Sequence, residues 1–269
     1  MYLIVDADCA TLPENVNPLA SEGLALLHLL SCLNYDAANP PLADLLRQSH
    51  QLEGDWLILS PIHWQASHND AVIVAAGKEL QVTESEARLC FDSLVDYLAI
   101  DGLTLHYHDA ETWLLCNKKN QPLNAKPVYQ LLNKSLMPEL SQLGSSLFWQ
   151  KLVTESQMLF ASRASQSVIN GVWPWGATPL SDKKAVKICA DEFFLPMAEL
   201  CSTQVSLYAP SVHLKEQQIL LISDLSVLSA PHQEELKKIE VHWYWNNMAY
   251  TSGSNNWFTR LWRTFIHAN

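Results

Sequence analysis

The alternation of apolar and polar positions predicts strands and helices in turn along the chain. Short apolar runs bounded by polar or turn-forming residues are typical of buried strands, and apolar positions repeating every three to four residues are typical of helices. The predicted strands are residues 2–5, 56–60, 71–75, 218–223 and 239–245. The predicted helices are residues 24–33, 83–100, 145–162 and 254–267. This order predicts an α/β fold, a mixed sheet with flanking helices.

Local sequence signals predict the structure of three stretches in more detail. Thr83 and Glu86 form a capping box at the start of the helix predicted over residues 83–100. Residues 103–108 and 113–117 are joined by a short acidic turn and predict a β-hairpin. Residues 182–200 are expected to be mixed and largely helical.

The domain organisation follows from a break in the pattern near the middle. Residues 121–126 lack both periodicities and are expected to connect two halves. The halves are an N-terminal α+β half, residues 1–125, and a C-terminal α/β half, residues 126–269. A single domain is the alternative.

Charge and cysteine usage narrow the class of partner. The chain has 17 Lys and Arg against 28 Asp and Glu, a net charge of −11, which disfavours nucleic acid and anionic membranes as partners. It contains no apolar stretch of membrane-spanning length, and its first residues lack the basic region of a signal peptide. Its six cysteines include no Cys-x-x-Cys pair, which predicts reduced thiols and a cytoplasmic location. The expected partner is a small molecule or another protein.

Carboxylates at predicted strand ends are candidate metal ligands, although the sequence assigns no catalytic residue. Asp6 and Asp8 follow the first strand and Asp224 follows the strand at residues 218–223, the positions where α/β sheets place ligands. Metal-dependent phosphoryl transfer through these residues is therefore one hypothesis. His106 and His108 share a strand face and either chelate a metal or are ordinary exposed histidines.

The segment from residue 148 to residue 176 is the most informative. Glu155 lies on the same helical stripe as Leu152 and Leu159, so it is either a buried acceptor that holds the following strand or an edge residue that reaches water. Trp173 and Trp175 alternate on one strand face, and Pro174 between them favours an edge strand. The pair is expected to form a partly open aromatic shelf, the alternative being a place in the core.

The same segment resembles the bacterial RpfE-type regulatory proteins, a family described as similar to cofactor-independent phosphoglycerate mutases. The family pattern is a Trp, then Asn-Glu-x-Gln-Met-Leu, then Asn-x-x-Trp-x-Trp-Gly-Gly-Gly. The matching residues are Trp149, Glu155, Gln157, Met158, Leu159, Asn170, Trp173, Trp175 and Gly176. The chain departs from the pattern at Thr154, Ala177 and Thr178, which replace the family's Asn and two of its glycines.

The resemblance implies a distant alkaline-phosphatase or phosphoglycerate-mutase-like core. It implies a ligand site made of Glu155, Gln157, Asn170, Trp173, Trp175 and Gly176. The chain lacks the Asp-Gly-x-Gly-Asp start and the carboxyl-terminal metal cluster of active mutases. We therefore expect a non-catalytic relative, with no metal and no cofactor, that binds a ligand or protein near the Trp173–Gly176 loop. Phosphoryl transfer and a purely structural role are the alternatives.

Overall fold

The computed structural model describes residues 1–14, 16–68, 70–118, 121–162 and 167–253. The strands are β1 Tyr2–Val5, β2 Asn17–Leu19, β3 Trp56–Ala66, β4 Ala71–Ala76, β5 Thr104–Tyr107, β6 Trp113–Cys116, β7 Gly171–Trp175, β8 Lys184–Ala190, β9 Ser202–Leu207, β10 Ile219–Ile222, β11 Val241–Trp245 and β12 Ala249–Ser252. The helices are α1 Ala25–Cys32, α2 Leu42–Ser49, α3 Glu84–Ala99, α4 Met137–Gln142, α5 Phe148–Ala161, α6 Leu195–Cys201 and α7 Ala230–Leu236. The helix predicted at residues 254–267 lies outside the described residues.

The chain forms two compact units, and one continuous stretch in its middle makes one of them. Unit 1 combines Met1–Tyr35 with the chain from Ser181 on, and unit 2 is Asp36–Leu180. The boundary predicted after residue 125 falls inside unit 2. The physical reason is that β6 and β7, on either side of that boundary, both hydrogen-bond to β3.

Unit 1 is built on a seven-stranded sheet in the order β2-β12-β11-β1-β10-β8-β9. The five strands from β11 to β9 run parallel, and β12 is antiparallel to β11. Leu3, Ile4 and Val5 in β1 have no exposed surface. A parallel strand that is covered on both faces is buried at every position, which explains its unbroken apolar run. The short apolar runs at β1 and β10 therefore occupy the centre of this sheet.

Unit 2 is built on an antiparallel sheet in the order β4-β3-β6-β5. The strand β7 stands outside this order and pairs with the middle of β3, at residues 58–62. The long strand β3 pairs with β6 through its first half and with β4 through its second half. Its register shifts between His63 and Trp64, which marks a β-bulge. α2 and β7 both contact β3, and α5 packs on β7.

The structure confirms the predicted fold class, a mixed α/β arrangement with flanking helices. The capping box is present: the Thr83 hydroxyl accepts a hydrogen bond from the Glu86 amide at 3.2 Å, and α3 begins at Glu84. The expectation for residues 182–200 is wrong, because Lys184–Ala190 form the parallel strand β8 and only Leu195–Cys201 are helical. Within the described part of the chain, no helix is long and apolar enough to cross a membrane.

Candidate functional site

Trp173 and Trp175 lie inside unit 2. Trp173 is 0 % exposed and Trp175 is 1 % exposed, so the expected open aromatic shelf is wrong. Both indoles are satisfied internally: the Trp173 Nε1 donates to the Lys126 carbonyl at 3.0 Å, and the Trp175 Nε1 donates to the Ser60 hydroxyl at 2.9 Å. The strand is at the edge that Pro174 indicated, since β7 pairs with β3 alone among the described strands. An edge position did not leave the side chains open, because α5 covers this strand.

Asn170 binds the backbone of β3 just beyond the end of its pairing with β7. Its Oδ1 accepts a hydrogen bond from the Trp64 amide at 2.8 Å, and its Nδ2 donates to the Trp64 carbonyl at 2.7 Å. Its own amide donates to the Ile62 carbonyl at 3.0 Å. The extra residue at the register shift is Val74 on β4, and the pairing of β3 with β7 ends at Ile62 and Gly171. Asn170 thus supplies the backbone of Trp64 with partners beyond the end of the β3–β7 ladder.

Close packing also explains the two glycines of this segment, Gly171 and Gly176. A Cβ on Gly171 would lie 2.9 Å from the Trp64 Nε1, so a side chain there would displace a buried indole. Gly176 has a φ of +74°, and a Cβ there would lie 3.3 Å from Ile58. Asn170, Gly171 and Gly176 thus shape the contact of β7 with β3.

Glu155 and Gln157 lie on α5, which packs against β7. The Glu155 side chain is 29 % exposed and pairs with Lys151 at 3.4 Å. It also accepts a hydrogen bond from Tyr97, and this bond raises the pKa of the Tyr97 hydroxyl. Gln157 is half-buried. Glu155 therefore lies at the half-exposed edge of its helix and does not hold the Asn170–Gly176 segment.

Several polar residues of unit 1 lie directly after the carboxyl ends of its parallel strands. Asp6 follows β1, Asp191 follows β8, Ser223 and Asp224 follow β10, and Asn246 follows β11. These strands are neighbours in the order β11-β1-β10-β8 and run in one direction, so their following residues share one edge of the sheet. This is the edge at which open α/β sheets bind ligands.

Asp6 and Asn246 form a pair at this edge, called here the Asp6–Asn246 site. The Asn246 Nδ2 donates to the Asp6 Oδ1 at 2.8 Å. Asn246 is 6 % exposed, and its Oδ1 has no hydrogen-bond partner among the described residues. Asn247 next to it pins the loop after β1, since its Oδ1 accepts from the Cys9 amide at 2.8 Å and its Nδ2 donates to the Cys9 carbonyl at 2.9 Å. The site thus contains one buried acceptor without a partner among the described residues.

Asp191 is engaged with its own surroundings. Its Oδ2 accepts from both the amide and the hydroxyl of Ser223, each at 2.6 Å, and its Oδ1 accepts from the Phe194 amide at 3.1 Å. These bonds tie the end of β8 to the end of β10 and to the start of α6. Asp191 is therefore a structural carboxylate.

Tyr208 and His232 form a second closed network at this side of unit 1. The His232 Nε2 lies 2.8 Å from the Val212 carbonyl, which can only accept, so this nitrogen carries the proton. The Tyr208 hydroxyl then donates to the bare Nδ1 at 2.7 Å and accepts from the Ser229 amide at 2.9 Å. Each polar atom of this pair has a partner within the chain.

The remaining predicted carboxylates do not converge on a metal centre. Asp8 is exposed, and Asp224 is exposed and accepts from the Ser226 amide at 2.7 Å. Across the described residues there is no group of three or more His, Cys, Asp or Glu side chains that could hold a metal ion. The sequence indicated Asp6 as a site residue but did not single out Asn246. Asn246 could have been identified because it directly follows the strand predicted at residues 239–245.

Comparison with known proteins places few constraints on the chain. No protein-family model matches it, and no curated protein matches its sequence. Among solved structures, it is similar to the cofactor-independent phosphoglycerate mutase from Thermoplasma acidophilum DSM 1728, at 11 % sequence identity and a TM-score of 0.33. That alignment covers 94 % of this chain and 90 % of the mutase. A TM-score at this level does not establish a common fold.

Proposed function

We propose that this protein acts by binding a small ligand at the Asp6–Asn246 site, and that it is a non-catalytic relative of the RpfE-type proteins. The observation that carries the proposal is the Asn246 Oδ1, a buried acceptor without a partner among the described residues. Leaving such an atom unmatched costs about 1–3 kcal/mol, so sites that keep one are candidates for a ligand that supplies the missing donor.

The ligand that fits this site carries N–H donors or a positive charge. The two groups at the site are a carboxylate and an amide oxygen, both of which bind donors and cations. The net charge of −11 also favours a cationic ligand over an anionic one. A primary amine or a hydrated divalent cation has the required chemistry.

The Trp173–Gly176 segment, which the family resemblance indicated, is not the site proposed. Trp173 and Trp175 have no surface to offer a ligand, and Asn170 uses both amide atoms on Trp64. The resemblance is consistent with a shared packing motif in unit 2, which supports kinship with the RpfE-type proteins without assigning a ligand to the motif.

Metal-dependent phosphoryl transfer is the second candidate function. The observation in its favour is that Asp6 and Asp224 follow β1 and β10, which are adjacent and parallel. Both carboxylates then serve as metal ligands in that hypothesis. The two candidates differ in one respect that an experiment can use, because Asp224 matters only to the second.

A thermal-shift titration distinguishes them. The probes are methylammonium, CaCl2 and MnCl2, and 3-phosphoglycerate is added with MnCl2 to assay turnover. Ligand at one hundred times its dissociation constant stabilises the native state by about 2.7 kcal/mol. We expect one cationic probe to raise the midpoint of the wild type and of Asp224→Asn, but not of Asp6→Asn or Asn246→Leu.

Two outcomes contradict the binding proposal. No probe shifts the wild-type midpoint, or Asp6→Asn and Asn246→Leu shift as the wild type does. A manganese-dependent conversion of 3-phosphoglycerate that both Asp6→Asn and Asp224→Asn abolish establishes the second candidate instead.

A further inference from the structure

Three histidines from separate parts of the sequence meet in unit 2. His50 ends α2, His106 lies in β5, and His108 follows β5; together they are called the histidine cluster. The His50 Nε2 lies 2.8 Å from the His108 Nδ1. The His50 ring centroid is 4.5 Å from that of His106 and 5.0 Å from that of His108. All three side chains are half-buried.

The contact between His50 and His108 limits how many protons the pair can hold. Two nitrogens 2.8 Å apart are hydrogen-bonded only if one carries a proton and the other presents its lone pair. The pair satisfies this condition when both rings are neutral or when one ring is charged. When both rings are charged, both facing nitrogens carry protons, so the bond is lost and two cations lie in contact.

The surroundings oppose charging of the cluster. The Asp109 carboxylate lies beside the cluster: its Oδ2 is 3.6 Å from the His108 Nε2, and its side chain is 51 % exposed. From β3, the neutral ring of Trp56 contacts the His106 ring. On α2, Arg47 is the cation nearest to His50 in the sequence, and it is paired with Asp44. Burial first, and then the charges of His108 and His106, lower the pKa of His50. Burial and His108 likewise lower the pKa of His106, whose Nε2 is buried without a partner among the described residues.

We propose that the histidine cluster is an acid-operated latch that fastens the end of α2 to β5 at neutral pH and releases it when a second proton enters. Among the described residues no group of three or more His, Cys, Asp or Glu side chains is placed to hold a metal ion, and the ion proposed to operate the latch is the proton. Release has a structural consequence within unit 2. The Asp44 carboxylate of α2 accepts from the Leu180 amide at 2.9 Å, and the backbone at Ala43 approaches Gly176. Loosening α2 therefore loosens the chain that follows β7.

The direction of the pH effect follows from the lowered pKa values. The unfolded or released chain binds protons at the ordinary histidine pKa, and the latched form binds them only at lower pH. The latch is therefore fully closed above the ordinary histidine pKa, and it weakens as the pH falls from there toward the depressed values.

Hydrogen exchange of the full-length protein at pH 7.5 and pH 5.5 tests the latch, after correction for the intrinsic pH dependence of exchange. The reporters are the amides of His50 and Leu52, which donate to the Leu46 and Arg47 carbonyls. We expect acid to speed their exchange roughly tenfold in the wild type and to leave α5 unchanged. His50→Gln retains a donor toward His108 but does not titrate, so its reporters are expected not to respond to acid. His68→Gln, an exposed histidine outside the cluster, is the matched control and is expected to respond as the wild type does.

A second measurement keeps the test independent of the variants. Imidazole NMR of the wild type is expected to show His50 and His106 titrating below the ordinary histidine pKa. Titration of both rings at the ordinary pKa overturns the proposal. So does equal acid sensitivity in the wild type and His50→Gln. A change in the His50 and His108 signals on adding equimolar Zn²⁺ at pH 7.5 overturns the assignment of the proton as the controlling ion.

Discussion

Replacing Asn170 with alanine tests whether the Asn170–Gly176 segment of unit 2 serves packing or binding. The amide of Asn170 makes two hydrogen bonds to the backbone of Trp64, at 2.8 Å and 2.7 Å, at the point where β3 leaves its regular register. Asn170→Ala removes both bonds and leaves the Trp64 amide and carbonyl without these partners. The main-chain bond from Asn170 to Ile62 is kept.

The magnitude follows from the two lost bonds. Each contributes about 0.5–1.5 kcal/mol net, and a backbone group left unmatched costs about 1–3 kcal/mol where it is fully buried. Water reaches this half-buried position in part, so we expect the free energy of unfolding to fall by about 2–3 kcal/mol. Asn170→Asp keeps the acceptor but sets a carboxylate against the Trp64 carbonyl. It should lose at least as much at pH 7 and recover part of the loss at acidic pH, where a protonated carboxyl can donate again.

Urea unfolding followed by near-ultraviolet circular dichroism measures the loss, and hydrogen exchange at the Trp64 amide localises it. Gln157→Ala is the matched control, since Gln157 is a half-buried motif residue on α5 and its replacement should change stability by less than about 0.5 kcal/mol. If Asn170→Ala unfolds at the wild-type urea concentration and the Trp64 amide stays protected, the structural role assigned to Asn170 is wrong.

Four further outcomes are expected. Trp175→Ala should lose about 3–5 kcal/mol of stability in urea, because it empties a buried site and strands the Ser60 hydroxyl; near-wild-type stability would restore the open-shelf interpretation. Gly176→Ala should lower the free energy of unfolding by about 1–3 kcal/mol more than Gly102→Ala in the same assay. Both glycines have a positive φ, but only a Cβ on Gly176 would contact Ile58, so equal losses would exclude packing as the cause. Burial lowers the pKa of His28 from 6.5 to about 4, so exchange protection of β11 should weaken by roughly 3 kcal/mol as the pH falls through that window, and less in His28→Gln. Thiol titration in denaturant without reductant should return all six cysteines, which are thiols rather than disulfides in the structure; a value near zero would contradict the predicted reduced state.

The sequence by itself determined the local elements. The capping box at Thr83, the hairpin of β5 and β6, and the apolar runs of β1 and β10 depend on residues a few positions apart, so periodicity and turn chemistry were enough to predict them. The strand β8 was missed because its first half alternates between exposed and half-buried residues and only its last three residues are fully buried.

Only the tertiary structure decided which distant residues meet. Asp6 and Asn246 are 240 positions apart and become neighbours because β1 pairs with β11, and His50 joins His106 and His108 because α2 ends beside β5. The alternation of Trp173 and Trp175 is equally compatible with an open shelf and with a core, since it fixes a common face but not what covers that face. Pairing and covering depend on contacts between segments far apart in the chain, and hydrophobic spacing within one segment carries no information about them.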